Sequence, residues 1–203
     1  MTRKVARAGG DRTRHAILDA SYRLMMRQGF AATSMRQIAS HAHLSLGGIY
    51  NHFSSKEDIF RAIIQERHPF LQIIPMLSAV PGETAEAFVR NAAHVFVQQL
   101  GQHPDFLNLM LTEIVEFKAR HVPALFGEFY PMLPSLAKRM LDPQGRTRPI
   151  PEFVVARAFI GMFFSYYFTE ILLGRAMPAG TNGNAIEQFV EIFLHGILEE
   201  QHL

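Results

Sequence analysis

The chain of 203 residues contains no cysteine. That excludes disulfides, thiolate nucleophiles and cysteine-based zinc sites, and it fits a reducing compartment. Long apolar runs are missing too. The longest stretch resembling a membrane span lies between Arg157 and Glu170, only twelve residues, where a helical span needs roughly 20. No apolar run follows the basic residues of the N-terminal MTRKVARAGGDRTR, so it is not read as a secretory signal. A cytoplasmic protein with no membrane partner is expected. The sequence has no G-x-x-x-x-G-K-[ST], no G-x-G-x-x-G after a strand, no H-E-x-x-H and no G-x-S-x-G. The ten histidines are scattered. No catalytic residue, metal or cofactor is assigned, and the chain is not read as an enzyme. No segment alternates long enough to predict a strand, and no internal repeat is present.

Hydrophobic residues make up 48% of the chain, enough for a substantial core. Net charge is only +2, but it is unevenly spread. Residues 1–60 hold nine Lys/Arg against four Asp/Glu, net +5, and residues 61–203 hold eleven against fourteen, net −3. The first part suits an anionic partner such as nucleic acid.

Helical periodicity dominates. Residues 1–10 read as a flexible basic N-terminus ending in Gly9-Gly10. From Thr13 the stripe Ile17, Leu18, Tyr22, Leu24, Met25 predicts a helix, closed by Gly29 as a left-handed cap. Thr33 is a candidate N-cap for a short helix, SMRQIASHA, and Ser45 caps the next. Ser54-x-x-Glu57 has the form of a capping box, with Ser55-x-x-Asp58 a weaker overlapping one. The helix they start runs to about His68, where Pro69 ends or kinks it. Further helices are expected at 83–100 and 104–120, a proline-broken one at 122–140, a long one at 150–174 and a last one at 185–200. Residues 141–149 and GRAMPAGTNG (174–183) read as loops. The fold class is all-α. An N-terminal helix-turn-helix domain of three short helices (11–56) precedes a larger helical effector-binding and dimerisation domain (57–203).

Two short helices joined by a tight turn are the helix-turn-helix arrangement, whose second helix enters the major groove. The stretch SLGGIYNHF carries what such a helix needs. Ser45 offers a hydroxyl and a helix start, where free N–H groups favour phosphate. Gly47 and Gly48 present no bulk, a choice a buried helix gains nothing from, since each glycine costs roughly 0.5–1 kcal/mol against alanine. Tyr50 and His52 supply donors. Lys56 starts the following helix, and Thr33 and Arg36 flank the turn from the other side.

Residues 29–60, GFAATSMRQIASHAHLSLGGIYNHFSSKEDIF, resemble the DNA-binding domain of tetracycline-repressor-like (TetR family) regulators. The resemblance covers about 50 residues with the first helix and is carried by Thr33, Ile38-Ala39, Ser45, Gly47, Tyr50, His52-Phe53 and Lys56. It implies a homodimeric, all-helical transcriptional regulator, usually a repressor, on a pseudo-palindromic operator of double-stranded DNA. By resemblance Thr33 and Tyr50 contact phosphates, as do His52 and Lys56 in many members. Leu46, Gly48 and Arg36 lie where members touch bases or groove walls, and Phe53 and Tyr22 are core. Two departures stand out. His43 replaces the usual turn glycine, and Leu46 replaces a residue that is polar or basic in many members. Leu46 offers no donor, only an apolar contact such as one to a thymine methyl.

The larger part is read from composition. Phe and Met are frequent between 83 and 140, and methionine adapts to irregular shapes. Phe88, His94, Phe96, Met110, Glu113, Phe117, Phe126, Tyr130 and Tyr166 are candidate pocket residues for a small apolar or amphipathic effector of unknown identity. Phe153, Phe159, Phe163, Phe189, Ile192, Phe193 and Ile197 are candidates for a dimer interface formed by the last two helices. The leading reading is a sequence-specific regulator, a repressor released by such a ligand. Its alternatives are a DNA-binding regulator without an effector, and a helical enzyme or scaffold with an incidental helix-turn-helix.

Overall fold

The computed structural model describes residues 2–141, 147–173 and 184–197, with only the backbone given for 2–9 and 171–173. The described residues are helical, without a strand: α1 (Thr2–Gln28), α2 (Met35–His41), α3 (Leu46–Tyr50), α4 (Lys56–Arg67), α5 (Phe70–Ser78), α6 (Ala85–Gly101), α7 (Phe106–Phe117), α8 (Val122–Phe129), α9 (Leu133–Met140), α10 (Glu152–Leu173) and α11 (Ala185–Ile197). A 3-10 turn at Tyr130–Met132 joins α8 to α9, as the prolines at 123, 131 and 134 led us to expect of this stretch. The loop expected at 174–183, most of that at 141–149, and residues 198–200 of the last helix lie outside the described residues.

Several boundaries differ from expectation. The backbone of α1 is helical from Thr2, where a flexible tail was read. Arg, Lys and Ala are good helix formers that extend a helix already begun by an apolar stripe, despite Gly9 and Gly10. Ser34, not Thr33, caps α2, in a capping box with Gln37. Ser55 rather than Ser54 caps α4, its Oγ accepting from Asp58 N–H. α5 had no counterpart in the sequence reading. Pro69 and Pro75 disguised it, yet Ile73, Ile74 and Leu77 bury one face, and that packing outweighs the hydrogen bond lost at Pro75.

The chain divides into two compact units. One is Met1–His68 with Asp105–Phe126, the other Pro69–Pro104 with Gly127–Leu203. This division departs from a boundary at residue 56: α4 and α7 belong with the helix-turn-helix. In the first unit α1 packs on α2 and α4, and α2 on α3. Ile17, Leu18, Leu24, Ile38, Ile49, Ile59, Phe60 and Ile63 form its core, each at most 1% exposed. Each contributes about 1.5–3 kcal/mol by leaving water. In the second unit α6 is central, packing on α5, α9, α10 and α11. Phe88, Phe96, Phe159 and Phe163 are among its fully buried rings.

Candidate nucleic-acid interface

The turn before the reading helix is built by three local devices. Gly29, at φ 85, closes α1, and its carbonyl accepts the Thr33 hydroxyl at 2.8 Å. His43 adopts φ 56 between α2 and α3, a left-handed conformation that favours glycine and that histidine tolerates better than bulky or β-branched residues do. Ser45 caps α3 by accepting from Gly48 N–H at 3.0 Å, which leaves its hydroxyl hydrogen free to donate outward. Ile49 is fully buried and Phe53 nearly so, so the five-residue helix Leu46–Tyr50 is anchored at one side and open at the other.

On the open side, a methyl at Gly47 would meet nothing within 4 Å, whereas one at Gly48 would lie 3.3 Å from Ser45 Oγ. The two glycines therefore do different things. Gly47 leaves space outside the protein, and Gly48 also leaves room for the cap. Tyr50 is 52% exposed. Arg36 is exposed on α2, and Leu46 and His52 are half-buried.

Two expected contacts are otherwise engaged. Thr33 is only 2% exposed, with its hydroxyl turned back to α1. Lys56 donates from Nζ to Phe30 O at 2.6 Å and Ala31 O at 3.3 Å, and its ammonium lies 4.2 Å from the centre of the Phe30 ring. Burial lowers the Lys56 pKa from its usual value, with Glu116 opposing. Lys56 thus ties the start of α4 to the end of α1, with one ammonium hydrogen left for another acceptor.

Two arginines were missed from sequence. A groove of about 540 Å³ runs beside the end of α3, lined by Arg14, Tyr50, Asn51, His52, Phe53 and Arg61 among others. Arg14 lies over the Phe53 ring at 5.2 Å and grips Glu66 with both amino groups, one of them at 2.6 Å. Arg61 bonds Asp58 at 2.7 Å. The signal available was their helical register: Arg14 and Arg61 stand three residues before Ile17 and two after Ile59, at the rims of the apolar stripes.

The pocket candidates are dispersed. Met110, Glu113, Phe117 and Phe126 belong to the first unit, and Phe88, His94, Phe96, Tyr130 and Tyr166 to the second. Phe88, Phe96 and Phe117 are buried, Phe117 among the rings of Phe30 and Phe60. Met110 Sδ lies 3.2 Å from His68 Nε2. Glu113 bonds His121, and His94 Nε2 is 2.6 Å from a Glu187 oxygen. Tyr130 is 44% exposed, its ring against Phe153, while Tyr166 meets Phe189. Of the interface candidates, Phe159, Phe163, Phe193 and Ile197 are buried within the unit, and Ile192 is 60% exposed.

A capped helix pair with an open, glycine-bearing second helix on a basic unit defines a helix-turn-helix DNA-binding protein. The comparisons narrow this. Residues 17–63 match the family described as bacterial regulatory proteins, tetR family, and the chain is a DNA-binding transcriptional regulator similar to the members of that family. It is 37% identical to the HTH-type transcriptional regulator YfiR of Bacillus subtilis over 65 residues, which is 32% of each chain. With YvkB of the same organism it shares 21% identity over 190 residues, covering 91% of this chain and 97% of YvkB. Its fold is similar to that of NalD, the secondary repressor of the MexAB-OprM multidrug efflux pump in Pseudomonas aeruginosa. The TM-score is 0.60 at 22% identity, over 95% of this chain and 99% of NalD.

Proposed function

We propose that the protein is a cytoplasmic homodimeric repressor that reads a pseudo-palindromic operator through α3 and leaves it when a small apolar or amphipathic ligand binds. The observation that carries the DNA-reading part is α3 itself: Ser45 caps it, Gly47 leaves its outer face unobstructed and Tyr50 projects beside it. Ser45, Tyr50 and His52 contact phosphates, Leu46 and Gly48 line the groove, and Arg36, Arg14 and Arg61 add charge at its edges. Lys56 contributes through position first and through its remaining hydrogen second. Thr33 acts by shaping the turn. Selecting bound sequences from random duplexes tests this. A preferred sequence with two half-sites about one helical turn apart is expected, and no preference would overturn it.

Dimerisation through α10 and α11 is supported by an apolar groove of about 180 Å³ that includes Val154, Ala158, Met162, Ile192 and Gly196. Val154 is 48% and Ile192 60% exposed. Gly161 and Gly196 have nothing within 4 Å of a notional Cβ, so a second backbone can approach closely. The ligand class rests on the Phe-rich second unit and on likeness to NalD, whose regulated pump exports many drugs. The reading without an effector is favoured by one observation: the polar anchors Glu113 and His94 already have protein partners. Operator affinity measured across a ligand panel at fixed salt separates the two.

A further inference from the structure

Glu113 is completely enclosed, and a carboxylate there needs donors for both oxygens. His121 supplies them. Its backbone N–H donates to Oε1 at 2.7 Å and its Nδ1–H to Oε2 at 2.9 Å. That fixes the ring with Nε2 toward Glu57, 3.7 Å from Oε1. Arg120 Nη1 lies 3.2 Å from the same Glu57 oxygen. Glu57 follows Lys56 in the first turn of α4, so one buried acid is linked through two residues to the start of that helix.

The segment between them is strained. Lys118 at φ 53 and Ala119 at φ 60 are consecutive non-glycine residues in the left-handed region, a conformation that persists only where the surroundings impose it. The imposing contacts are the two Glu113–His121 bonds and the Ala119 N–H to Glu113 carbonyl bond at 3.1 Å. The turn also presses on the frame of the helix-turn-helix. The His121 ring lies 5.0 Å from Phe117, Phe117 stacks at 4.8 Å on Phe60 of α4 and meets Phe30 at the end of α1 at 4.8 Å. The Phe30 carbonyl is the one that receives Lys56. α8 begins at Val122, the next residue.

We propose that Glu113 and His121 are positioning residues for operator binding: paired, they hold the 118–121 turn against the first turn of α4 and so fix Lys56 and the seat of the reading helix. The proposal rests on the DNA-reading function above. Because a buried charge cannot be left unpaired, the pair is either made or the turn is rebuilt.

The test compares the parent with Glu113→Gln and with the double variant Glu113→Leu/His121→Leu, which removes both polar side chains together and leaves only the His121 backbone N–H without its acceptor. In the double variant we expect a cooperative thermal transition that lies several degrees below the parent's, because the buried His121 N–H loses its acceptor. Exchange of the Ile59 and Phe60 amides should be about 10-fold faster, and operator affinity about 10-fold weaker. Affinity for an unrelated duplex should change less than about twofold, since phosphate contacts dominate it. Glu113→Gln, which keeps an acceptor for the His121 N–H, should lie between. A folded double variant with parental exchange and operator affinity would overturn the proposal. If the double variant does not fold, parental exchange and affinity in Glu113→Gln would overturn it. A parent with no sequence preference would instead sink the DNA-reading function, and the exchange rates would still decide whether the pair holds α4.

Discussion

At the residue scale the two adjacent glycines of the reading helix make separable contributions. Alanine at Gly47 meets no protein atom and relieves the helix of a poor former. Gly47→Ala should raise stability by up to about 0.5–1 kcal/mol while weakening operator binding, because the added methyl occupies space facing the groove. Paired denaturation and operator titrations check this; higher stability with unaltered affinity would remove clearance as the reason for glycine there. Gly48→Ala is a poorer probe, since its methyl crowds the Ser45 cap. Lys56 also changes meaning once its partners are seen. Loss of two charged hydrogen bonds and a ring contact from a half-buried side chain should make Lys56→Ala less stable by about 1–2 kcal/mol. It should also lower the salt slope of DNA binding by about one. A slope change without a stability change would mean that the carbonyl contacts contribute nothing.

At the scale of elements, α1 and α4 form the seam that carries the helix-turn-helix, and two oppositely directed ion pairs close it: Arg14 with Glu66 and Arg67 with Asp19 at 2.6 Å. The Arg14 guanidinium holds the Glu66 pKa below its ordinary value of 4.5. A depressed folded pKa stabilises above the ordinary value and loses its effect as pH falls through the depressed one. The stability advantage of the parent over Glu66→Gln should therefore be constant above about pH 5 and shrink on acidification, small throughout because both groups are partly exposed. Denaturation midpoints across that range measure it, and a gap independent of pH would disprove the linkage. What the sequence disclosed at this scale follows the range of the interactions. The caps of α2, α3 and α4 could be placed to within one residue, because capping is decided by neighbours three positions apart. α3 and its glycines were legible for the same reason. α5 was hidden by its prolines, and the structural contacts of Thr33 and Lys56 were not legible because their partners, Gly29, Phe30 and Ala31, follow the end of another helix. The buried state of Phe159, Phe163 and Phe193 depends on which face of α10 meets α6 and α11. The apolar composition of those helices, rich on every side, does not specify that.

At the scale of the whole molecule, reading two half-sites requires that the two copies be held together, and the open apolar groove of α10 and α11 is where that requirement can be tested. Ile192 is the most exposed large residue of that groove, while Phe193 beside it is buried. A carboxylate at Ile192 would stay hydrated in a monomer but would be stripped of water and opposed by its twin across a twofold interface. Ile192→Glu should therefore leave the thermal stability of the isolated chain nearly unchanged and shift sedimentation from dimer to monomer. Operator affinity should drop by about 100-fold or more, since the second half-site no longer benefits from the first. Phe193→Glu serves as the contrast: it should destabilise the fold itself, because that ring is packed against Phe159 at 5.6 Å. A dimeric Ile192→Glu variant with full operator affinity would move the interface to another face. A monomeric one that still bound operator tightly would show that each reading head acts alone, and the half-site spacing found by sequence selection would then have to disappear as well.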